Sequence, residues 1–501
     1  MNRHQSMSHS LPRLLFKFVP AVLTLALLGG CAIKPMPLSE NDRLGNLQHA
    51  RISIFQHQET LNSSVTLDEA MARAIKYNLD YRVKILEEAL AVKQLDLANF
   101  DLLPKLTASA GYASRNNDSA SSSESYTTHQ ESLESSISQD ATHRSADLGV
   151  AWNILDFGVS YYQGQQQADR MLIMKERRRK VVQMLMQLVR QAYWQGVGAQ
   201  KMEVQIEPLL KQVKIALDNS NKIVKEHLQA PLDTLNYQKQ LLDIMRQLEA
   251  IRDELAQAKP RLASLMNLEP GKPFTLVVPT DLSLPKLTLA PEKMEETALL
   301  NRPELVEAQY NERIGVNESR KALARLLPGL EFNLGGHYDS NSFMVNNHWA
   351  DVGLRVSWNL MNVLNAKDIQ ANAAAQLEVA KQQYLALNMA ILAQVHVAYR
   401  DFKGRQRQYE LSQQLNDIEA KILEHTRNAA KNNTVGQLQE IRASASAMMS
   451  ELRLYQNYGA LQSAYGQMQA TLGVDPLPEA LNGHDLTTLK QAFIQAESAA
   501  R

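Results

Sequence analysis

Among the residues able to do chemistry, Cys31 is the one whose setting dictates what that chemistry is. It is the only cysteine in the 501-residue chain, and it follows Leu28-Gly29-Gly30, an apolar residue and two small ones. Small residues let a peptidase approach the backbone, and the thiol can accept diacylglycerol before cleavage; this is the pattern of a bacterial lipobox. Upstream, Arg3, Arg13 and Lys17 form a positive region ahead of the apolar run 18–28. That run is too short to cross a bilayer, so it reads as a secretory signal. An ordinary cleaved signal with an incidental cysteine is the alternative. Residue 32 is Ala rather than Asp, which in such lipoproteins usually implies passage to the outer membrane, so outer-membrane lipid is an expected partner.

Other reactive side chains offer little. The 12 His and 18 Met are scattered, with no His-x-x-x-His and no carboxylate cluster at ligand spacing, so neither a metal nor a cofactor is expected. Met171, Met174, Met184 and Met186 read as helix packing. No nucleophile elbow, phosphate loop or catalytic His–carboxylate set is present, and the expectation is a protein that is not an enzyme. The 53 basic and 53 acidic residues become 50 and 53 when Arg3, Arg13 and Lys17 leave with the signal. That balance gives no reason to expect a nucleic-acid partner. A single cysteine carrying lipid leaves no disulfide, so packing must supply stability. After the signal no run of eighteen apolar residues occurs. Any crossing of a membrane must therefore be made by strands.

The elements are organised by an internal repeat. Leu102-Leu103-Pro104 recurs as Leu326-Leu327-Pro328, and the segment ending in Trp152-Asn153 recurs in one ending in Trp358-Asn359. Each half reads helix, helix, strand, loop, strand, very long helix, long helix. In the first half Thr66 is placed to cap a helix, with Glu69 at the capping-box position. Helical periodicity then runs over 66–102 until Pro104. From Lys105 to Tyr112, Leu106, Ala108, Ala110 and Tyr112 alternate with Thr107, Ser109 and Gly111. Such a period-two strand of modest hydrophobicity suits a barrel with one lipid face and one wet face.

The expected strands are about 105–112 and 147–155, then about 329–338 and 350–360. The polar loops between them, 113–146 and 339–349, are expected at the cell surface. Four strands cannot close a barrel without exposed edges, so several chains must contribute, and three chains are the simplest closure. The helices are expected at 159–227 and 232–268, and at 291–326, 364–432 and 438–472. Seventy helical residues span on the order of 100 Å, far beyond a globular domain. Pro208 is expected to kink the first long helix. Locally, each hairpin could equally be a coiled-coil spacer.

This order of segments resembles the TolC-like outer-membrane efflux protein family, in its lipoprotein branch, over about 60–475. The resemblance rests on the duplicated Leu-Leu-Pro and Trp-Asn segments and on Asn301-Arg302-Pro303-Glu304-Leu305, with Asn78-Leu79-Asp80-Tyr81 as a looser counterpart. It implies a mainly α chain with a β-barrel portion. Three copies would form a homotrimer whose twelve-stranded outer-membrane barrel continues as a periplasmic helical barrel, with short helices at 291–300 and near both termini as a belt. It also implies that the protein is the exit duct of a tripartite efflux pump for small molecules, with a periplasmic adaptor and an inner-membrane pump as partners. An outlet for type I protein secretion is the alternative. A structural lipoprotein without a channel is a further one, though it would not need four amphipathic strands.

The domains are then a lipoprotein signal (1–30), a lipid-anchored segment (31–60), two repeats (61–270 and 271–475) and a tail (476–501). The helical hairpins reverse at His227-Leu228-Gln229-Ala230-Pro231-Leu232-Asp233-Thr234-Leu235 and at Thr434-Val435-Gly436. The first turn is similar to the family's tip motif, with His227 where Gly is usual. The resemblance makes Leu228, Ala230, Pro231, Leu232, Val435 and Gly436 adaptor contacts; plain turns are the bland alternative. Glu440 falls where the family narrows its periplasmic end with acids, but Arg442 follows closely. An acidic ring, an inter-subunit latch through Arg442 and a solvated helix face all remain open.

Overall fold

The computed structural model describes residues 35–61, 64–131, 134–278, 282, 284–285, 287, 289–432, 434–478 and 483–499, except 226–230. The chain divides into a unit ending at Gln58 and a body beginning at Glu59. The first unit holds helix α1 (Glu40–Phe55). Ser39 caps it: its Oγ accepts from Asp42 N at 3.1 Å, and Asp42 Oδ2 accepts from Ser39 N at 3.1 Å. Two orphan donors are satisfied reciprocally. Cys31 lies outside the described residues.

The body opens with strand β1 (Ser64–Val65) and helix α2 (Leu67–Tyr77). Thr66 caps α2 as expected, its Oγ1 accepting from Glu69 N at 3.2 Å. The Glu69 carboxylate turns instead to the buried Arg73, 3.2 Å away. The single helix expected over 66–102 is two, because Asn78 ends α2 and starts α3 (Leu79–Phe100), accepting from Tyr81 N at 3.0 Å. Strands β2 (Lys105–Ser114) and β5 (Thr142–Asn153) follow, with the small hairpin β3 (Ala120–Ser121) and β4 (Ser136–Ile137) between them. Helix α4 (Ile154–Lys225) has 72 residues and begins five residues earlier than its expected start at 159. Pro208 lies inside it and the helix continues through; the carbonyl of Val204 loses its helical donor there, on a residue that is 77% exposed. The next helix divides into α5 (Pro231–Ala256) and α6 (Ala258–Leu265), since Pro260 cannot donate to Ala256.

Strand β6 (Thr275–Leu276) pairs in parallel with β1. The second repeat then divides where the first did, into α7 (Pro291–Asn301) and α8 (Pro303–Ala324), with Pro303 at the helix start. Strands β7 (Gly329–Asp339) and β8 (His348–Ser357) lead to the short α9 (Leu360–Leu364), the 66-residue α10 (Ala366–Lys431) and α11 (Gln437–Thr471). The expected tail contains α12 (Leu486–Ala499), which packs on α2.

Helix α4 lies against α3, α5, α6, α8 and α11, while α10 lies against α7, α8 and α11. The main core gathers where these cross: Trp194 and Tyr458 meet edge to face at 4.5 Å, with Tyr193 and Tyr409 beside them. Gly198 and Gly459 permit that approach, since a β-carbon at either would lie within 3.2 Å of the facing Tyr455 or Trp194. Of the methionines read as packing, Met186 is buried and Met184 is exposed.

Candidate functional site: an inside-out sheet above paired helices

The four long strands form one antiparallel sheet in the order β2-β5-β7-β8. Register fixes the faces. Leu106, Val150, Leu334 and Val352 share one cross-strand row, and Ala110, Ala146 and Tyr338 share another on the same face. The opposite face carries Ser109, Asp147, His337 and Trp349 in one row and Thr107, Gly149, Gly335 and Asp351 in the next. In the two central strands the apolar side chains are exposed, as at Leu148, Trp152, Phe332 and Leu334, whereas Asp147, Asn333 and His337 are half-buried. A sheet in water shows the reverse. This sheet is built for an apolar solvent outside and water within.

Aromatic residues bound the apolar band. Tyr338 is level with Ala146, while Trp152 faces Phe332. The interval from 146 to 152 corresponds to roughly 20 Å of strand, close to the apolar band of about 25 Å in outer-membrane barrels. Strands β2 and β8 are each paired on one side only. Two full-length edges with exposed side chains on both faces require further strands from elsewhere.

On the wet face one polar row ties the four strands together. Ser109 Oγ donates to Asp147 Oδ2 at 3.0 Å, and Asp147 Oδ1 lies 2.7 Å from His337 Nδ1. The His337 ring stacks on Trp349, with centroids 5.1 Å apart. Its Nε2 sits 3.3 Å from Asp351 Oδ2 without a hydrogen bond. At the outer end, the two connecting loops interlock. Asn341 Oδ1 accepts from Asp140 N at 3.0 Å, its Nδ2 donates to Ser138 O at 3.2 Å, and Ser342 Oγ donates to Asp140 Oδ1 at 2.8 Å.

Below the sheet, the repeated motifs acquire physical roles. Asn153 Oδ1 accepts from Leu155 N at 3.0 Å and Asp156 N at 3.3 Å, and Asn359 Oδ1 accepts from Met361 N at 3.1 Å. Each Trp-Asn segment is thus a helix cap at the strand exit. The indole N–H of Trp358 donates to Leu326 O at 3.0 Å, joining the second Trp-Asn to the second Leu-Leu-Pro.

A run of four basic residues on α4 was not recognised in the sequence. Consecutive helical residues point about 100° apart, so the four reach different neighbours. Arg177 pairs with Glu307 of α8 at 2.6 Å, Arg178 with Glu88 of α3 at 2.5 Å, Arg179 with Asp475 at 2.9 Å, and Lys180 with Glu304 of α8 at 3.2 Å. Burial pushes the Glu304 carboxyl up, but the Arg302 guanidinium and the Lys180 ammonium outweigh it and hold the carboxyl below its ordinary value. Further along α4, Gln200 holds the small sheet, donating to Leu276 O and accepting from Leu276 N, both at 2.8 Å.

At the far ends of the helices, Leu228 and Ala230 lie outside the described residues. Pro231 is the first residue of α5 and Leu232 is exposed in its first turn, so these two belong to the helix start rather than to the loop. Val435 is half-buried and Gly436 is the N-cap of α11. Glu440 sits in the first turn of α11, where the helix dipole favours an acid. Arg442 is exposed, and among the described residues no ion pair joins it to Glu440. No described group of three or more His, Cys, Asp and Glu residues has the arrangement to hold a metal. No described helix is long and apolar enough to cross a membrane.

The chain thus combines an outward apolar sheet that has two open edges with helices of 72 and 66 residues. Residues 70–268, within the first repeat, match the family described as Outer membrane efflux protein. No curated protein sequence matches the chain. Among solved structures, the Campylobacter jejuni CmeC outer membrane channel superposes with a TM-score of 0.65 at 14% identity, over 89% of this chain and 94% of that one. The open-state Neisseria gonorrhoeae MtrE outer membrane channel gives 0.63 at 16%, over 84% and 95%. The outer-membrane channel OprN gives 0.63 at 18%, over 81% and 89%. The fold is that of the TolC-like outer-membrane efflux channels.

Proposed function

We propose that this protein is the outer-membrane exit duct of a tripartite efflux pump, exporting small molecules as a homotrimer. The observation that carries the reading is the inside-out sheet with two unpaired edges, set above helices of roughly 100 Å. Three copies would bring twelve strands, with β8 of one copy beside β2 of the next, and their helices would line a continuous tunnel. The loops 113–146 and 339–349 would then face the exterior. Conduction needs no bond chemistry, and energy would come from the inner-membrane partner. The purified protein in a planar bilayer should open stable, stepwise conductances. A correctly folded oligomer that never conducts would overturn the duct reading.

Cys31 would anchor each copy in outer-membrane lipid, supported by the signal that ends Leu28-Gly29-Gly30. Mass spectrometry of membrane-extracted protein should find a lipidated Cys31 as the first residue; an unmodified N-terminus elsewhere would rule the anchor out. At the opposite end, the turns containing Leu228, Ala230, Pro231 and Leu232, and Val435 with Gly436, would receive a periplasmic adaptor. Glu440 and Arg442 lie close to that end, and three copies of each would form the narrowest ring or an inter-subunit latch. Bilayer conductance of Glu440→Gln and Arg442→Ala tests this, and conductance equal to the unsubstituted protein in both would exclude a gating role.

A further inference from the structure

We infer that Asp147, His337 and Asp351 form an ion-selectivity ring midway along the barrel wall, with the charge on His337 setting its strength. The inference rests on the duct reading, because the ring exists only when three copies enclose a bore. Each copy contributes two carboxylates and one imidazole, drawn from β5, β7 and β8 and seated on the wet face. With the imidazole protonated, the cluster carries one net negative charge per copy; with it neutral, two. Around a trimeric bore that is three against six.

The geometry keeps these groups in play. Asp147 is held by Ser109 on one side and His337 on the other, at 3.0 and 2.7 Å. Trp349 stacks on the His337 ring and fixes its plane. Gly335 leaves the space the cluster fills, since a β-carbon there would lie 2.5 Å from His337 Nε2 and 2.8 Å from Asp351 Oδ1. Asp351 is 62% exposed at its side chain and available to passing ions.

The other charges of the wet face are arranged differently. Glu331 and Arg355 are direct cross-strand neighbours of opposite sign. Lys105 stands opposite Ala151 at the inner end, and His143 and Asp339 lie toward the outer loops. The mid-wall row is where acids outnumber bases on adjacent strands. A wall of low dielectric concentrates the field of such a ring and enriches counter-ions in the bore.

The test is the reversal potential of the bilayer-inserted full-length protein under a KCl gradient. Salt is kept at or below about 0.1 M, so that screening does not hide the ring. Measurements at about pH 5 and about pH 9 bracket the ordinary imidazole value of about 6.5. The unsubstituted channel should prefer K+ over Cl−, and the preference should rise roughly two-fold or more at the higher pH. His337→Gln should hold the higher preference at both pH values. Asp351→Asn, at an exposed position on an edge strand, should lower it at both. A channel that conducts but keeps its pH response in His337→Gln, or its full preference in Asp351→Asn, overturns this inference and leaves the duct reading standing. A protein that never conducts sinks both.

Discussion

The Trp358 indole reaches back 32 residues to donate to the carbonyl of Leu326 at 3.0 Å. One bond therefore joins the point where the chain enters the second hairpin to the point where it leaves. The sheet meets the helices there, between the end of α8 and the start of α9. Trp358→Phe keeps an aromatic ring but removes the donor. Its loss should cost about 1 kcal/mol, read as a lower urea midpoint of the detergent-extracted oligomer. An unchanged midpoint would mean that the junction is held by packing alone.

That bond was half legible. The recurrence of Leu-Leu-Pro and Trp-Asn marked both ends of each hairpin, and the caps at Asn153 and Asn359 account for why Asn follows Trp. The strand alternation was readable because a two-residue period needs no partner to be seen. The helix break at Asn78 was not, since the periodicity on either side is unbroken and the capping bond decides. The α4 basic run escaped notice because its meaning lies in Glu88, Glu304, Glu307 and Asp475, which are distant in sequence. His337 was counted among scattered histidines because Asp147 is 190 residues away and only the β5–β7 register brings them together.

The carboxyl of Glu304 gives a pH dependence with a defined sign. Its folded pKa lies below the ordinary 4.5 despite burial, because Arg302 and Lys180 favour the charged form. A depressed carboxylate contributes stability that is fully present above its unfolded value and is lost as pH falls through the folded one. Urea midpoints of the oligomer should therefore drop below about pH 4.5, and Glu304→Gln should show a shallower drop across that interval. Equal slopes in the two proteins would remove Glu304 from the acid response.

Leu228→Glu combined with Gly436→Asp places charge on both turns proposed to dock the adaptor. A few desolvated anchors dominate association of this kind, each worth roughly 1–2 kcal/mol or more, so losing two should weaken docking about ten- to a hundred-fold. Export should fail while trimer content and membrane location stay normal. Normal export from the double variant would mean that the adaptor grips elsewhere.

The proposed duct requires that the open edges β2 and β8 meet between copies and that three copies close the barrel. Within one chain those edges are separated by three strand spacings of about 4.8 Å, beyond the roughly 7 Å that a disulfide can bridge between Cα atoms. Any β2–β8 disulfide must therefore join two chains. A cysteine at Ala108 or Ala110 would be combined with one at Ala350 or Val352, and the protein oxidised in isolated membranes. The most direct measurement is the size of the covalent species under denaturing, non-reducing conditions. At least one combination should give linked chains ending at three. Chains that stay single in every combination, or a ladder that runs past three, would contradict it.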